Sequence, residues 1–227
     1  METTLIFKPN ISTLPQPQVC VWRELDATPD HFTLYGGTAL ALRLGHRASV
    51  DFDFFSNQPF VPHELVNEIT YLKDAELVQV ATNTLKCRMQ RGGPVLVSFF
   101  GGLGLGIVAR RGQAHGSNVY AASLLDIAGT IVAVVQQRAE AKDYLYIDAL
   151  LRHGVQLQAA LAAGLIIYGR SFNPIITLKA LSYFDDVPTL PVDVQERLSA
   201  ALKNVNPTIL PALTPYMKRP DDKETTP

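Results

Sequence analysis

The stretch YGGTALALRLGHRASVDFDFF, residues 35–55, decides how this 227-residue chain is interpreted. Two glycines and a threonine open a helical pattern, and Asp51 and Asp53 follow in an apolar run. In a strand these two carboxylates share one face, with roots roughly 6.6 Å apart, while Phe52 and Phe54 take the other face. Two like charges this close repel each other unless a cation is present, so the pair indicates a metal-binding strand.

Magnesium suits this pair, because Mg²⁺ takes carboxylate oxygens and keeps coordination positions open for phosphate. The alternative is a pair of solvated aspartates at a strand edge, balanced by Arg43 and Arg47. The residues just upstream favour the metal site. Gly36 and Gly37 let a backbone approach a ligand closely, and the helix that follows offers its N–H groups and the Thr38 hydroxyl to a phosphate.

This combination resembles the nucleotidyltransferase superfamily that includes DNA polymerase β, and more closely the AbiEii/AbiGii toxin family. The resemblance is carried by Gly36, Gly37, Thr38, Ala39, Leu40, Arg47, Ser49, Asp51 and Asp53. Members of the family are the toxin halves of bacterial toxin–antitoxin (abortive infection) pairs. The resemblance implies a set of nucleotide-binding residues, namely Gly36, Gly37, Thr38, Arg47 and Ser49. It also implies that Asp51 and Asp53 are catalytic and hold Mg²⁺.

A second block, QQRAEAKDYLYIDALL at residues 136–151, resembles a later helical motif of the same family. The resemblance implies that Asp143 is a catalytic acid or base, or orients the acceptor. At helical spacing Asp143 shares a stripe with Ile147, which places a carboxylate on a partly apolar face. The alternative is a helix-surface aspartate paired with Lys142 or Arg138.

Two positions depart from the family pattern. Where members commonly carry a lysine, this chain has Ile131, and an isoleucine cannot contact a phosphate. Superfamily members often have a third carboxylate on a later strand, and the corresponding polar position in VLVSFF is Ser98. Lys86 and Arg88, alternate residues of one predicted strand, and Lys179 are candidates to replace the missing charge.

Two functions follow from the resemblance and its departures. The first is Mg²⁺-dependent transfer of a nucleotidyl group from a nucleoside triphosphate to RNA, such as a tRNA end, or to a protein hydroxyl. The chain would then be the toxin of a pair whose cognate antitoxin is its partner. The second is a catalytically degenerate relative that acts as a binding or interaction module.

Hydrophobic periodicity predicts an α/β half up to about residue 120 and a helical half after it. The resemblance implies that the first half is a nucleotidyltransferase-type mixed sheet flanked by helices, so the fold class is α/β (α+β). The predicted domains are residues 1–120 and 121–215, followed by a polar, disordered tail at 216–227. Residues 1–18, interrupted by prolines, are predicted to be an extended lead-in.

The element boundaries are predicted from the same patterns. The predicted strands are 33–35, 50–55, 77–80, 85–89 and 95–100. The predicted helices are 38–44, one from 62 towards 72, 124–137, 139–152, 157–164, 175–184 and 192–203. GLGLGIVA, residues 102–109, has the glycine spacing of a dinucleotide fingerprint, but no helix continues from it, so we predict a glycine-rich loop.

The composition narrows the range of functions. With 20 Lys and Arg against 21 Asp and Glu, the net charge of −1 disfavours a broad basic face for nucleic acid but allows a local patch. Cys20 and Cys87 lack metal-ligand spacing and are predicted to be core thiols. The N-terminal segment does not follow a signal-peptide pattern, and the longest nearly uncharged run, 94–109, is too short to span a bilayer. These features predict a cytoplasmic protein that does not bind membranes.

Overall fold

The computed structural model describes residues 4–223, and in this part of the chain eight strands form one mixed sheet. The strands are β1 (Leu5–Phe7), β2 (Thr33–Tyr35), β3 (Asp51–Phe55), β4 (Glu76–Ala81), β5 (Thr84–Gln90), β6 (Pro94–Phe100), β7 (Gly112–Ala114) and β8 (Tyr120–Ala121). Their order across the sheet is β1-β7-β8-β2-β3-β6-β5-β4. The pairs β1/β7, β8/β2 and β3/β6 are parallel and the other pairs are antiparallel.

The described chain divides into two compact units. The first comprises the residues up to Gly104 together with Arg110–Ala122, and the second comprises Leu105–Ala109 and the residues from Ser123 onwards. The helices of the first unit are α1 (Gln16–Trp22), α2 (Gly36–Leu44) and α3 (Pro62–Glu68). Those of the second are α4 (Leu124–Val134), α5 (Ala141–Arg152), α6 (Leu157–Tyr168), α7 (Pro174–Leu181) and α8 (Val192–Lys203). The predicted α/β class, with a mixed sheet and a helical C-terminal half, is confirmed.

One face of the central strands forms the core of the first unit. Its buried side chains are Phe52 and Phe54 on β3, Val97 and Phe99 on β6, and Leu85 and Cys87 on β5. Phe54 lies opposite Phe99 in the register, and their rings stack with centroids 5.3 Å apart. Every second residue of each strand points to this face, and in these three strands those residues are apolar.

Helix α2 connects β2 to β3 and is bounded by two glycines in the left-handed region. Gly36 opens the helix with φ +68°, and Gly45 ends it with the same φ while donating its N–H to the carbonyl of Ala41. Glycine adopts this conformation without the steric cost of a Cβ atom. The predicted helix is confirmed and begins two residues earlier than expected.

The glycine-rich segment is a loop, as predicted, and a buried aspartate holds its end. The N–H groups of Val108 and Ala109 donate to the Asp126 carboxylate at 2.7 and 3.1 Å. The backbone N–H of Asp126 donates to the Ser123 hydroxyl, which caps α4. Asp126 is therefore a structural anchor within the second unit.

Close approach of α4 and α6 requires a residue without a side chain. A Cβ atom at Gly129 would lie 2.7 Å from Ile167 Cδ1 and 3.0 Å from Ala163. Ile131, two residues later on α4, is 5% exposed. This stretch of α4 is therefore part of the packing of the second unit.

The predicted extended lead-in is wrong. Residues Leu5–Phe7 form β1, and α1 begins at Gln16 with Pro15 at the N-cap and Pro17 in the first turn, where a missing N–H costs no hydrogen bond. Of the predicted tail, residues 224–227 lie outside the described residues. Before them, Met217 forms an antiparallel bridge to Ile107.

No single helix between residues 4 and 223 is both long enough and apolar enough to cross a membrane. The segments Ala141–Arg152 and Leu157–Ser171 reach that combination only together, as a pair bent by 117°.

Candidate active site

The two aspartates of the opening stretch share one face of β3. Asp51 is exposed and Asp53 is half-buried, whereas Phe52 between them is fully buried. The alternation places both carboxylates on the side of the sheet opposite the apolar core. The first unit therefore presents a pair of acidic side chains on one sheet face.

Gly36 lies directly beside this pair. Its neighbour Tyr35 is the register partner of Asp53 across β2 and β3. A Cβ atom added at Gly36 would lie 3.3 Å from Asp53 Oδ2. A residue with a side chain at position 36 would therefore have a strained backbone, because φ is positive, and its Cβ atom would crowd the Asp53 carboxylate.

Thr38 and Ser49 link α2 to the entrance of β3. Their hydroxyl oxygens are 2.7 Å apart, and the Thr38 hydroxyl also donates to the backbone carbonyl of Asp51. Because that hydroxyl has one proton, Ser49 is the donor in the hydroxyl pair. Both side chains are buried, at 3% and 5% exposure, and the backbone N–H groups of the first turn of α2 have no partner within the helix.

The remaining predicted nucleotide-binding residues lie at the two ends of the same loop-and-helix segment. Gly37 is the second residue of α2. Arg47 lies in the connection from α2 to β3 and donates from Nη1 to the carbonyl of Ala48 at 2.7 Å. Arg43, by contrast, donates to the carbonyl of Ala121 on β8 and lies over the ring of Phe7 on β1. Its side chain therefore links α2 to these two strands.

The position that corresponds to the third carboxylate of the superfamily lies next to Asp53. The parallel register of β3 and β6 pairs Asp53 with Ser98, and the antiparallel register of β5 and β6 pairs Ser98 with Lys86. Ser98 is 1% exposed. Asp53, a candidate metal ligand, is therefore followed across the sheet by Ser98 on β6 and then by Lys86 on β5.

Asp143 lies in the second unit, in the first turn of α5. Its carboxylate accepts two hydrogen bonds from Arg138, from Nε at 2.9 Å and from Nη2 at 3.2 Å. The Asp143 side chain is 3% exposed, and the hydrogen bond it accepts raises the pKa of the Arg138 guanidinium. The pairing considered as the alternative is present, but the aspartate is buried rather than on the helix surface.

A second buried aspartate, Asp148, lies on the same helix and was not predicted from local sequence patterns. Asp148 accepts hydrogen bonds from Nε and Nη2 of Arg197 at 2.6 and 3.0 Å. The hydrogen bonds to Asp148 and Asp193 raise the pKa of the Arg197 guanidinium. Arg197 follows Asp148 by 49 residues, so no local pattern links the two.

The chain matches the family described as "Nucleotidyl transferase AbiEii toxin, Type IV TA system" over residues 21–214. This span contains both the acidic pair and Asp143. The chain belongs to the AbiEii family. As a member of that family it is a toxin-type nucleotidyltransferase, as the opening stretch predicts.

The chain also has a relative in sequence and neighbours among solved structures. A protein of Aquifex aeolicus (strain VF5), described as uncharacterized, is 30% identical over 158 residues, which are 68% of this chain and 74% of the relative. MenT4, a nucleotidyltransferase toxin from Mycobacterium tuberculosis H37Rv, has a TM-score of 0.54 at 15% identity, covering 82% of this chain and 81% of its own.

An antigenic nucleotidyltransferase-like protein from Paracoccidioides brasiliensis has a TM-score of 0.52 at 18% identity, covering 86% of this chain and 94% of its own. At these identities the likeness is one of fold. The fold of this AbiEii-family chain is therefore that of the nucleotidyltransferases, and the predicted architecture is confirmed.

Proposed function

We propose that this chain transfers a nucleotidyl group from a nucleoside triphosphate to an acceptor hydroxyl in a Mg²⁺-dependent reaction, as the toxin of a toxin–antitoxin pair. The acceptor is an RNA, such as a tRNA end, or a protein hydroxyl. The observation that carries the proposal is the shared face of Asp51 and Asp53 with Gly36 beside them. A cognate antitoxin is the proposed partner.

The donor set fits magnesium. Among residues 4–223 no cluster of three or more His, Cys, Asp or Glu side chains is arranged to hold a metal ion. Mg²⁺ does not need such a cage, since it is usually held by one or two carboxylates together with substrate phosphates. Asp51 and Asp53 are the residues that would hold it, and the ion would neutralise charge on the phosphates when bound.

The backbone of α2 is the proposed phosphate seat. The first N–H groups of a helix have no partner within the helix, and here they belong to Gly36, Gly37 and Thr38. The lack of a side chain at position 36 lets a phosphate approach these N–H groups beside Asp53. Thr38 and Ser49 would keep α2 and β3 in register around the ligand, and Arg47 would add positive charge.

The test is a transfer assay with purified protein, Mg²⁺, each labelled nucleoside triphosphate and either total RNA or total protein as acceptor. We expect label in one acceptor class, and a loss of roughly 10²–10³-fold in Asp51→Asn and Asp53→Asn, the size expected for removing one preorganised electrostatic contact. Replacing Mg²⁺ with EDTA is expected to abolish transfer. Full transfer by a variant that carries both Asp51→Asn and Asp53→Asn would contradict the proposal.

The role of Asp143 is tested by a matched pair on α5. Asp143→Asn and Asp148→Asn each weaken a buried carboxylate–arginine pair of the second unit, so both are expected to lower the free energy of unfolding. If Asp143 also acts in transfer, its variant loses kcat well beyond the loss in Asp148→Asn. Equal kcat values for the two folded variants would assign Asp143 a structural role.

A second candidate function is an interaction module without activity. Two observations favour it, namely a serine in place of a carboxylate beside Asp53 and the buried Ile131 in place of a lysine. The transfer assay separates the two functions. An interaction module transfers no label, and its nucleotide binding is the same in the wild type and in Asp51→Ala/Asp53→Ala. A small DNA-binding protein encoded by the neighbouring gene would support the toxin role.

A further inference from the structure

One row of side chains crosses three neighbouring strands on the face that carries the acidic pair. Asp53 on β3 lies beside Ser98 on β6, which lies beside Lys86 on β5. Directly paired residues point to the same face, and neighbouring strands are roughly 4.8 Å apart. Because Ser98 is short, Lys86 is the first long side chain beyond Asp53 in this direction.

Lys86 has no carboxylate partner within residues 4–223. Its Nζ atom lies 5.7 Å from the centroid of the Phe100 ring, and Phe100 in turn lies edge-on to Phe55 at 5.6 Å. Arg88, two residues later on the same strand and face, is instead paired with Glu76 at 2.8 Å. The ring contact is made by the ammonium group itself, and it leaves the N–H donors of that group without a carboxylate acceptor among the described residues.

The strand order separates this lysine from the proposed phosphate seat. α2 starts directly after β2 on one side of β3, whereas β6 and β5 lie on the other side. A substrate that meets the acidic pair therefore has backbone N–H groups on one flank and Lys86 on the other. Because position 98 is a serine, no negatively charged side chain lies between Asp53 and Lys86 in this row.

We propose that Lys86 is a positioning residue that binds a phosphate group of the substrate on the β5–β6 flank of the acidic pair. This inference rests on the proposed function and deepens it. Lysine binds phosphate as a point charge, without the planar geometry that arginine requires. The phosphate belongs either to the nucleoside triphosphate or to the acceptor, since both present the same anionic oxygens.

The experiment compares Lys86→Ala and Lys86→Arg with Arg88→Ala, which removes one positive charge from the same strand and face. The first measurement is the Kd of a non-transferable α,β-methylene nucleoside triphosphate with Mg²⁺, obtained by calorimetry. The second is the KM for total tRNA at saturating nucleotide. In Lys86→Ala we expect one of the two constants to rise roughly 10- to 100-fold, as for loss of a charged hydrogen bond. Lys86→Arg is expected to restore most of the affinity, and Arg88→Ala to stay within about twofold of the wild type.

The two arms identify the source of the phosphate. A change confined to Kd assigns it to the nucleotide, and a change confined to KM assigns it to the acceptor. If total tRNA is not an acceptor, the Kd alone decides. Unchanged constants in Lys86→Ala, or equal losses in Lys86→Ala and Arg88→Ala, would overturn the role of Lys86 while the wild type still transfers. A wild type that neither binds nor transfers nucleotide would overturn the proposed function itself.

Discussion

The two faces of strands β3, β6 and β5 differ in the polarity of their side chains. One face is closed by aromatic and aliphatic side chains that exclude water, among them Phe54, Phe99 and Cys87. The other face carries Asp51 and Asp53 together with Ser98, Lys86 and Arg88. Consecutive residues of a single strand therefore belong to different parts of the molecule, one to the core and one to the proposed active site.

The difference shows how a short strand combines folding with function. The apolar face supplies the burial that holds the strands, which leaves the other face free to carry charges that contribute little to stability. A substitution should therefore change the free energy of unfolding on one face and ligand binding or transfer on the other. Phe54 and Phe55, which lie on opposite faces of β3, offer a matched pair that tests this separation.

The largest expected effect on stability is at Phe54. Phe54→Ala removes a fully buried ring stacked on Phe99 and is expected to cost about 3–5 kcal/mol of unfolding free energy. Phe55→Ala, one residue later on the half-exposed face, is expected to cost about 1–2 kcal/mol. Urea unfolding of both variants measures the contrast. Equal losses would show that the two faces do not differ as described.

The two glycines at the ends of α2 offer a second matched pair. Gly36→Ala and Gly45→Ala each place a Cβ atom at φ +68°, 3.3 Å from a polar side chain, and each is expected to cost about 1–2 kcal/mol of stability. Only position 36 borders Asp53, so Gly36→Ala is also expected to lose roughly 100-fold in transfer, because a small misplacement at a reacting centre has that effect. Melting curves and transfer rates of the two folded variants measure the difference. A Gly45→Ala protein with the same loss of transfer would contradict it.

The closed face also predicts a pH dependence. Burial raises the pKa of the Cys87 thiol to about 11. Between about pH 9 and 11 the unfolded chain releases the thiol proton while the folded chain retains it, so the free energy of unfolding falls by about 1.4 kcal/mol per pH unit in this window. Cys87→Ala lacks this contribution, and other ionising groups cancel in the comparison with the wild type. Parallel stability curves for the two proteins would disprove the linkage.

The smallest expected effect tests the row beside Asp53. Ser98→Asp adds a buried carboxylate next to an existing one, so the variant is expected to melt below the wild type in EDTA. With Mg²⁺ it gains an oxygen ligand, and its affinity for the ion is expected to rise roughly 3- to 10-fold. Ser98→Asn is the neutral control of similar shape. If Mg²⁺ does not change the melting temperature of Ser98→Asp, the cation does not bind beside this row.

Local patterns were sufficient for the central strands and for α2. The alternation in DFDFF gave the two faces of β3, and Gly45 gave the end of the helix. The assignment of Ser98 to the third-carboxylate position agrees with its register beside Asp53. For β3 and α2 the signal lies within a few residues of the feature that it predicts, whereas the assignment of Ser98 came from the family resemblance.

Features that depend on distant partners were not predictable. β7 and β8 are two or three residues long, and their pairing with β1 and β2 joins segments far apart in the chain. The prolines before α1 were interpreted as breakers, although they suit the start of a helix. The Thr38 hydroxyl is buried against Ser49, which follows it by 11 residues. The buried Asp143 is paired with Arg138, which lies before the start of α5.

The pairing of β1 with β7 has a consequence for synthesis. Leu5 lies opposite Gly112, so β1 is synthesised more than one hundred residues before the strand with which it pairs. Contacts of such long sequence separation form late, because a large loop must close before they contribute. β2 and β3 lie much closer in the chain and can pair first. A truncation of β1 should therefore remove a late step of sheet assembly and leave the pairing of β2 with β3, the strand with the acidic pair, unaffected.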